Sequence, residues 1–383
     1  MVKVMMSVGE ASGDMQGASV ARALMQARPD VRIFGMGGEA MRAAGVEIVY
    51  DIAELGVFGV VEILKKLPKQ IRLRRLLADM MEKERPDVLV VVDYGGFHIP
   101  LAKAAKARGI PVVYYIPPKA WLYWRGRAKD VADAVERVAA IFPFEAEVYR
   151  EAGANVTFVG NPLLDIAKPS LSKEEAYRHF GADPAKPLVL LLPGSRIQEI
   201  KGLLPAMLGA AEIIAEKVPD SQFFLPIAST ISREVLQNSI SGCRVPVRLT
   251  SDRTYDLMQI ADVAIAASGT ATLETSLLGV PTVIIYKVAP ITYLFGKILI
   301  KIPDIGLPNI VAGRRIVPEL LQDAVTSDNI AREALAILTD DVIRGRILQD
   351  IGEMKRRLGE GGAVERVAQM ILEVARVDRG GIT

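Results

Sequence analysis

The chain is poor in the residues that build cross-links and metal centres. Cys243 is the single cysteine among 383 residues, so no internal disulfide can form, and a reducing compartment suits the chain. Histidine is almost as scarce, with only His98 and His179. Together with one thiol they are too few for a transition-metal site, and no Asp-x-Asp pair is present to hold Mg²⁺. No metal and no cofactor are expected. Aromatics make up 6% of the chain, so its cores must be aliphatic. A net charge of +2 gives no general attraction to nucleic acid. No apolar run reaches the ~18 residues that suggest a transmembrane helix. The first residues form an apolar strand without a secretory n-region or cleavage site, so a cytoplasmic protein is expected unless it sits on a membrane face.

What is present is a soluble α/β pattern. Half of the residues are hydrophobic, enough for two cores at the roughly 100–200 residues usual per domain. Strands are predicted at Val2–Val8, Val31–Phe34, Val88–Val92, Val112–Ile116, Ala139–Phe142 and Val156–Val159. Helical stretches such as Gln16–Ala27, Leu101–Ala107 and Glu145–Ala152 lie between them. These short Val/Ile runs lack strict alternation, as strands buried on both faces of a parallel sheet do. Gly160–Asp165, with Lys168-Pro169-Ser170 after it, reads as a linker. A second series follows, with strands at Leu188–Leu192, Gln222–Pro226, Val245–Leu249, Asp262–Ala267 and Val280–Ile285. The last forty residues are helical and charged. The expected architecture is two Rossmann-like, doubly wound domains facing across a cleft, with ligands beyond the carboxyl ends of the strands.

Two loops are suited to gripping anions. Ser268-Gly269-Thr270 lies between a strand and a helix N-terminus, where backbone N–H groups and the positive dipole end favour a phosphate. Glu274 lies a turn further on, where a carboxylate can accept from sugar hydroxyls; proximity to the helix dipole is the plainer reading. Leu192-Pro193-Gly194-Ser195-Arg196 also follows a strand and adds a guanidinium, a good grip for diphosphate. Ser195 and Gln198 have capping-box spacing, but capping needs no arginine between them. Two such loops in one half of the chain suggest a nucleoside diphosphate.

Asp93 ends a predicted central strand and is followed by Tyr94-Gly95-Gly96-Phe97-His98, a good position for a general base. It can equally cap the following helix, and His98 is either an alternative base or a structural residue. Gly9-Glu10-Ala11-Ser12-Gly13-Asp14 links the first strand to the first helix. Its small residues would let backbone donors approach a ligand, while a tight turn with an N-cap explains the glycines and Asp14 but leaves Glu10 over. Gly35-Met36-Gly37-Gly38-Glu39-Ala40 fits a dinucleotide pattern only weakly, because it follows the second strand. Two basic, apolar-interleaved segments, Leu64–Arg75 and Tyr293–Lys301, suit either an anionic membrane surface or a solvated helix face.

Taken together, these residues resemble the lipid-A-disaccharide synthase family, inverting glycosyltransferases of the two-domain GT-B fold. The resemblance rests on Gly9–Asp14, Gly35–Gly38, Leu55–Glu62, Asp93, Leu192–Arg196, Ala267–Glu274, Leu307-Pro308-Asn309, Ala312-Gly313-Arg314 and Val317–Gln322. It implies transfer of 2,3-diacylglucosamine from UDP to 2,3-diacylglucosamine 1-phosphate, giving the β-1,6-linked disaccharide 1-phosphate and UDP without a metal. It implies Asp93 as base and Arg196 as stabiliser of the leaving diphosphate. Gly194, Ser195, Arg196, Ser268, Gly269, Thr270, Glu274, Asn309 and Gln322 would hold UDP. Gly9, Glu10, Ser12, Gly13 and Asp14 would lie on the acceptor side. The implied division is residues 1–165 for the acceptor, 166–350 for the UDP-sugar, and 351–383 as a helical segment that returns to the N-terminal domain or swaps in a homodimer. The implied location is peripheral, on the inner face of the cytoplasmic membrane.

The chain departs from the family pattern at Gly95, where Pro is usual, at His98, where Asn is usual, and at Asn161, Pro117 and Lys119. All but Asn161 fall in the N-terminal half, where such enzymes hold the acceptor. Two other readings stay open: a UDP-sugar epimerase of the same fold, or a glycosyltransferase with a different lipid acceptor. A non-catalytic nucleotide-sugar-binding protein is a third.

Overall fold

Runs of Val, Ile and Leu buried on both faces form parallel strands only where crossover helices cover both sides, and the computed structural model of this protein repeats that unit throughout. It describes residues 1–55, 60–119, 125–228, 230–287 and 304–377, with the backbone alone at 55, 60–67, 125, 376 and 377. Most of the Leu55–Glu62 motif, Trp121–Trp124 and Tyr293–Lys301 therefore lie outside the described residues, as do the side chains of Lys65 and Lys66. The chain forms two compact units: Met1–Pro162 with Glu360–Thr383, and Leu163–Gly359.

In the first unit β1 (Lys3–Val8) leads into α1 (Ala11–Ala27), β2 (Arg32–Gly37) into α2 (Glu39–Ala43), and β3 (Glu47–Asp51) precedes α3 (Val60–Glu84). Then come β4 (Val88–Val92), α4 (Gly95–Lys106), β5 (Val112–Tyr115), α5 (Arg125–Ala134), β6 (Arg137–Ala140), α6 (Pro143–Glu151) and β7 (Val156–Phe158). The sheet order is β3-β2-β1-β4-β5-β6-β7, parallel throughout.

The second unit opens with α7 (Leu163–Ile166), α8 (Lys173–Phe180), β8 (Leu188–Leu192), α9 (Ile197–Lys217), β9 (Gln222–Pro226), α10 (Arg233–Ile240) and β10 (Val247–Thr250). It continues with α11 (Thr254–Met258), β11 (Val263–Ala267), α12 (Thr270–Leu277), β12 (Thr282–Tyr286), α13 (Leu307–Ala312) and β13 (Glu319–Leu321). Helices α14 (Ser327–Thr339) and α15 (Asp341–Arg357) close it. Its sheet order is β10-β9-β8-β11-β12-β13, again parallel. The last helix, α16 (Ala363–Val377), belongs to the first unit, where Val367, Ile371 and Val374 join one face of the sheet with Val20, Ala21 and Leu24 of α1. That i, i+4, i+7 spacing is the apolar stripe of an amphipathic helix. On the opposite face Met5, Leu89 and Val91 meet Leu73, Leu77 and Met81 of α3.

Two strands are absent from the sequence reading, β3 and β13. Three more are displaced: β10 and β12 start two residues later and end one residue later than expected, and β6 ends at Ala140, not Phe142, because Phe142 is already the N-cap residue of α6, with Pro143 in its first turn.

Strand order decides where a ligand can bind. In each sheet the order reverses once, between β1 and β4 and between β8 and β11. Helices diverge to opposite faces there and leave a crevice at the carboxyl ends. The loops leaving β1 and β4 are Gly9–Glu10 and Asp93–Tyr94, and those leaving β8 and β11 are Pro193–Arg196 and Ser268–Gly269. Each unit thus carries its candidate residues at its own reversal point.

Candidate functional site

At the reversal point of the first unit, Asp93 and Tyr94 are consecutive non-glycine residues in the left-handed region, φ 52° and 50°, a conformation costing each about 1–3 kcal/mol unless the surroundings impose it. Asp93 Oδ1 accepts from the Tyr94 N–H at 2.8 Å. Its side chain is exposed by surface area, yet the protein packed around it raises the carboxyl pKa through desolvation, against the lowering effects of the Tyr94 N–H and the Lys119 charge. A carboxylate destabilised in this way takes up a proton more readily, as a general base requires.

His98 is not an alternative base. It is completely buried, its Nδ1 is 2.7 Å from the Asp93 carbonyl oxygen and its Nε2 is 3.0 Å from Ser7 Oγ. Gly95 also has a local cause: a Cβ there would meet Pro118 Cγ at 2.4 Å.

The Gly9–Asp14 loop divides between two roles. Glu10 and Ser12 are exposed at the start of α1. Gly9 makes room for Tyr94, whose ring carbon would lie 2.2 Å from an added Cβ. Asp14 is buried, and its carboxylate accepts from the backbone N–H groups of Gly38 (2.7 Å), Ala40 (2.8 Å) and Met41 (3.2 Å). It therefore caps α2 from a distance, in place of the acceptor-side role expected for it. The same packing accounts for Gly38, where a Cβ would meet Asp14 Oδ2 at 2.7 Å, so this part of the dinucleotide-like pattern is there for packing.

In the second unit, the Gly194–Arg196 loop is built around a residue that sequence reasoning missed. Glu199 Oε2 accepts from the N–H groups of Ser195 (2.9 Å) and Arg196 (3.2 Å), and its Oε1 lies 3.2 Å from Arg196 Nη1. The helix N-cap is Arg196 with Glu199 at the third helical position, not Ser195 with Gln198. Gly194, at φ 110°, would place a Cβ 2.2 Å from Glu199 Oε2. Beyond its contact with Glu199 the Arg196 side chain is 81% exposed.

At the neighbouring loop Gly269 is the N-cap of α12, so Thr270 is its first residue. The N–H groups of Thr270 and Ala271 meet no acceptor among the described residues, which leaves that helix end open to an anion. Glu274, in the same helix, has its carboxyl pKa raised by burial and partly restored by the Tyr255 hydroxyl, 3.1 Å from Oε1. Lys168, Ser170, Arg253, Thr254, Tyr255, Asp256 and Glu274 line a recess of about 510 Å³, a volume within the range of small-ligand sites. Buried Asp256 holds its rim by accepting from Ser170 N–H (2.6 Å), Ser170 Oγ (2.8 Å) and Leu171 N–H (2.7 Å). No motif in the sequence singled out Tyr255 or Asp256.

Gln322 and Asn309 are two further residues expected to hold UDP. Gln322, at φ 52°, leaves the carboxyl end of β13. Asn309 is buried with its amide fully engaged: Nδ2 donates to Val317 O (3.0 Å) and Glu319 Oε1 (2.7 Å), and Oδ1 accepts from Ile316 (2.7 Å) and Val317 (3.0 Å) N–H groups. It braces the 304–319 segment and has no amide group left for a nucleotide. Among the described residues, no three His, Cys, Asp or Glu side chains gather as a metal site requires.

The family model described as lipid-A-disaccharide synthetase matches residues 4–373. The chain belongs to the lipid-A-disaccharide synthase family. A member from Geobacter sulfurreducens is 42% identical over 372 residues, covering 97% of both chains, and one from Syntrophus aciditrophicus is 42% identical over 374, covering 97% of this chain and 98% of that one. As a lipid-A-disaccharide synthase family member it is a glycosyltransferase of lipid A biosynthesis. Solved structures agree on the fold. The UDP-GlcNAc 2-epimerase of Neisseria meningitidis bound to UDP-GlcNAc aligns with TM-score 0.66 at 15% identity, covering 97% of this chain and 100% of that one. A calicheamicin glycosyltransferase aligns with TM-score 0.63 at 14% identity, covering all of both chains. At such identities the likeness shows the GT-B fold alone.

Proposed function

We propose that the chain catalyses inverting transfer of 2,3-diacylglucosamine from UDP to the 6-hydroxyl of 2,3-diacylglucosamine 1-phosphate, releasing UDP. Asp93 takes the hydroxyl proton as the oxygen attacks, and Arg196 stabilises the departing diphosphate. Gly269 and Thr270 present backbone donors to phosphate beside Ser268, whose own N–H is held by Ile285 O at 2.9 Å, and Glu274 accepts from the ribose. The observation that carries this reading is the place of Asp93 at the carboxyl end of a central strand, at the reversal point of its sheet, where desolvation also raises its pKa. Support for the nucleotide side comes from the open start of α12 beside the Glu274 recess.

The chain works at the inner membrane face, where its acylated substrates reside. In support, no helix among the described residues is long and apolar enough to span a bilayer, while α3 exposes Ile71 and Leu76 beside Arg72 and Arg75, a pairing that suits an anionic lipid surface. A radiolabelled transfer assay with diacylated and non-acylated acceptors tests the reading. Label should enter a disaccharide 1-phosphate only with the diacylated acceptor. Transfer to neither, or epimerisation of UDP-N-acetylglucosamine without any acceptor, would overturn it.

A further inference from the structure

We infer that His98, flanked by Ser7 and Tyr114, is the positioning residue of Asp93: a buried relay that grips the Asp93 carbonyl and so fixes where the carboxylate points. The inference rests on the reading of Asp93 as the base.

The Asp93–Tyr94 peptide follows β4 in two successive left-handed residues, so some contact must hold it there. At the Asp93 N–H the hold is weak, 3.2 Å to Tyr115 O. At its carbonyl it is strong, with His98 Nδ1 at 2.7 Å and the Tyr114 hydroxyl donating at 2.8 Å. A carbonyl oxygen only accepts, so Nδ1 carries the imidazole proton. Burial keeps the ring neutral, lowering its pKa to about 4. Nε2 is then a lone pair, and Ser7 Oγ, also fully buried, donates to it across 3.0 Å. Every hydrogen-bonding group of the ring is thus assigned.

The ring is fixed from the sides as well. Tyr94, Phe97 and Tyr114 meet it edge-on, with centroids 5.7, 5.6 and 6.3 Å away. Ser7 lies near the end of β1, opposite Val91 of β4, so the relay ties the base to the two strands at which the sheet reverses. Being fully buried, His98 touches no substrate and acts only through Asp93. Rotation of the 93–94 peptide would swing the Asp93 side chain, and misplacing a reacting group by about 1 Å can cost 10²-fold in rate.

The test measures kcat, KM and UDP affinity for His98→Ala, His98→Asn, Tyr114→Phe and Ser7→Ala, with Asp93→Asn as reference. His98→Ala should lower kcat about 10²-fold and leave KM for the UDP-sugar and the affinity for UDP unchanged. His98→Asn should recover most of the loss, because an amide offers the same donor and acceptor pair as a neutral imidazole. Tyr114→Phe, which removes one of two donors, should show a smaller loss in kcat alone, and it carries the test with Ser7→Ala if His98→Ala does not fold. Folded His98→Ala or Tyr114→Phe with full kcat, or His98→Asn no better than His98→Ala, overturns the inference. A fully active Asp93→Asn would instead overturn the base itself, whereas an inactive Asp93→Asn beside a fully active His98→Ala removes only the positioning role.

Discussion

The Glu199 carboxylate sits 2.9 Å from the backbone N–H of Ser195, occupying a donor that a diphosphate would need. A protein carboxylate already held by a loop's N–H groups competes with an incoming anion. Glu199→Ala should therefore tighten UDP binding several-fold in calorimetry. It should also lower stability by about 1 kcal/mol, the usual cost of a lost cap. If binding weakens instead, Glu199 serves to orient Arg196, whose Nη1 it meets at 3.2 Å.

If Asp93 is the base proposed above, it should couple activity to stability with opposite signs. Its pKa is raised above the ordinary carboxylate value, so the folded state binds this proton more tightly than the unfolded chain. The associated stability is present at low pH and is lost as pH rises through the raised pKa. At neutral pH Asp93→Asn should melt slightly above the parent, since asparagine also tolerates a left-handed backbone. Transfer should fall about 10²–10⁴-fold with UDP affinity kept. The acid limb of kcat/KM should follow the Asp93 proton, and Lys119→Ala should move that limb to higher pH, because the Lys119 charge lowers the Asp93 pKa.

Glu274 depends on its neighbour. Burial raises its carboxyl pKa and the Tyr255 hydroxyl lowers it again. Tyr255→Phe removes that donor, so the carboxyl should protonate at a higher pH and the side chain lose its anchor. A hydrogen bond to a charged group is worth about 1.5–3 kcal/mol, and we expect UDP affinity to drop about 10-fold, most steeply on acidification. Affinity unchanged between neutral and mildly acidic pH would remove Glu274 from the nucleotide contacts.

What could be read from the chain followed apolar patterning for the strands and, for much of the site, sequence distance. Strands such as Val88–Val92 are visible because burial on both faces leaves an unbroken apolar run. Half-exposed β3, with Glu47 and Asp51 at its ends, carries no such run, and β13 is only three residues long. In each unit separately, residue types at strand ends pointed to the candidates Asp93, Arg196 and the Ser268 loop, because a parallel sheet must place such loops at its carboxyl edge. Reasons for individual residues were less accessible. Gly9 yields to Tyr94, Gly38 to Asp14 and His98 to Ser7, 91 positions away; only the folded chain brings those partners together.

Asn309 provides a test in which stability is the readout. Its amide serves two acceptors and two donors inside the 304–319 segment, and Glu319 Oε1 is 2.7 Å from Nδ2. Glu319 also accepts from the N–H groups of Ile305 and Gly306, at 2.9 Å each. Asn309→Asp keeps the two acceptor contacts but replaces the donor with a carboxylate facing another buried carboxylate. Either one of the pair must take up a proton or the segment must open. The cost should reach about 3 kcal/mol, the scale for an uncompensated buried charge, and should shrink on acidification as the pair gains a proton. Asn309→Ala leaves the N–H groups of Ile316 and Val317 unpaired and should cost about 1–3 kcal/mol without that pH dependence. Denaturant melts of both variants at pH 7 and pH 5 separate the two effects. Equal losses at both pH values for Asn309→Asp would show that Glu319 does not face the amide as described.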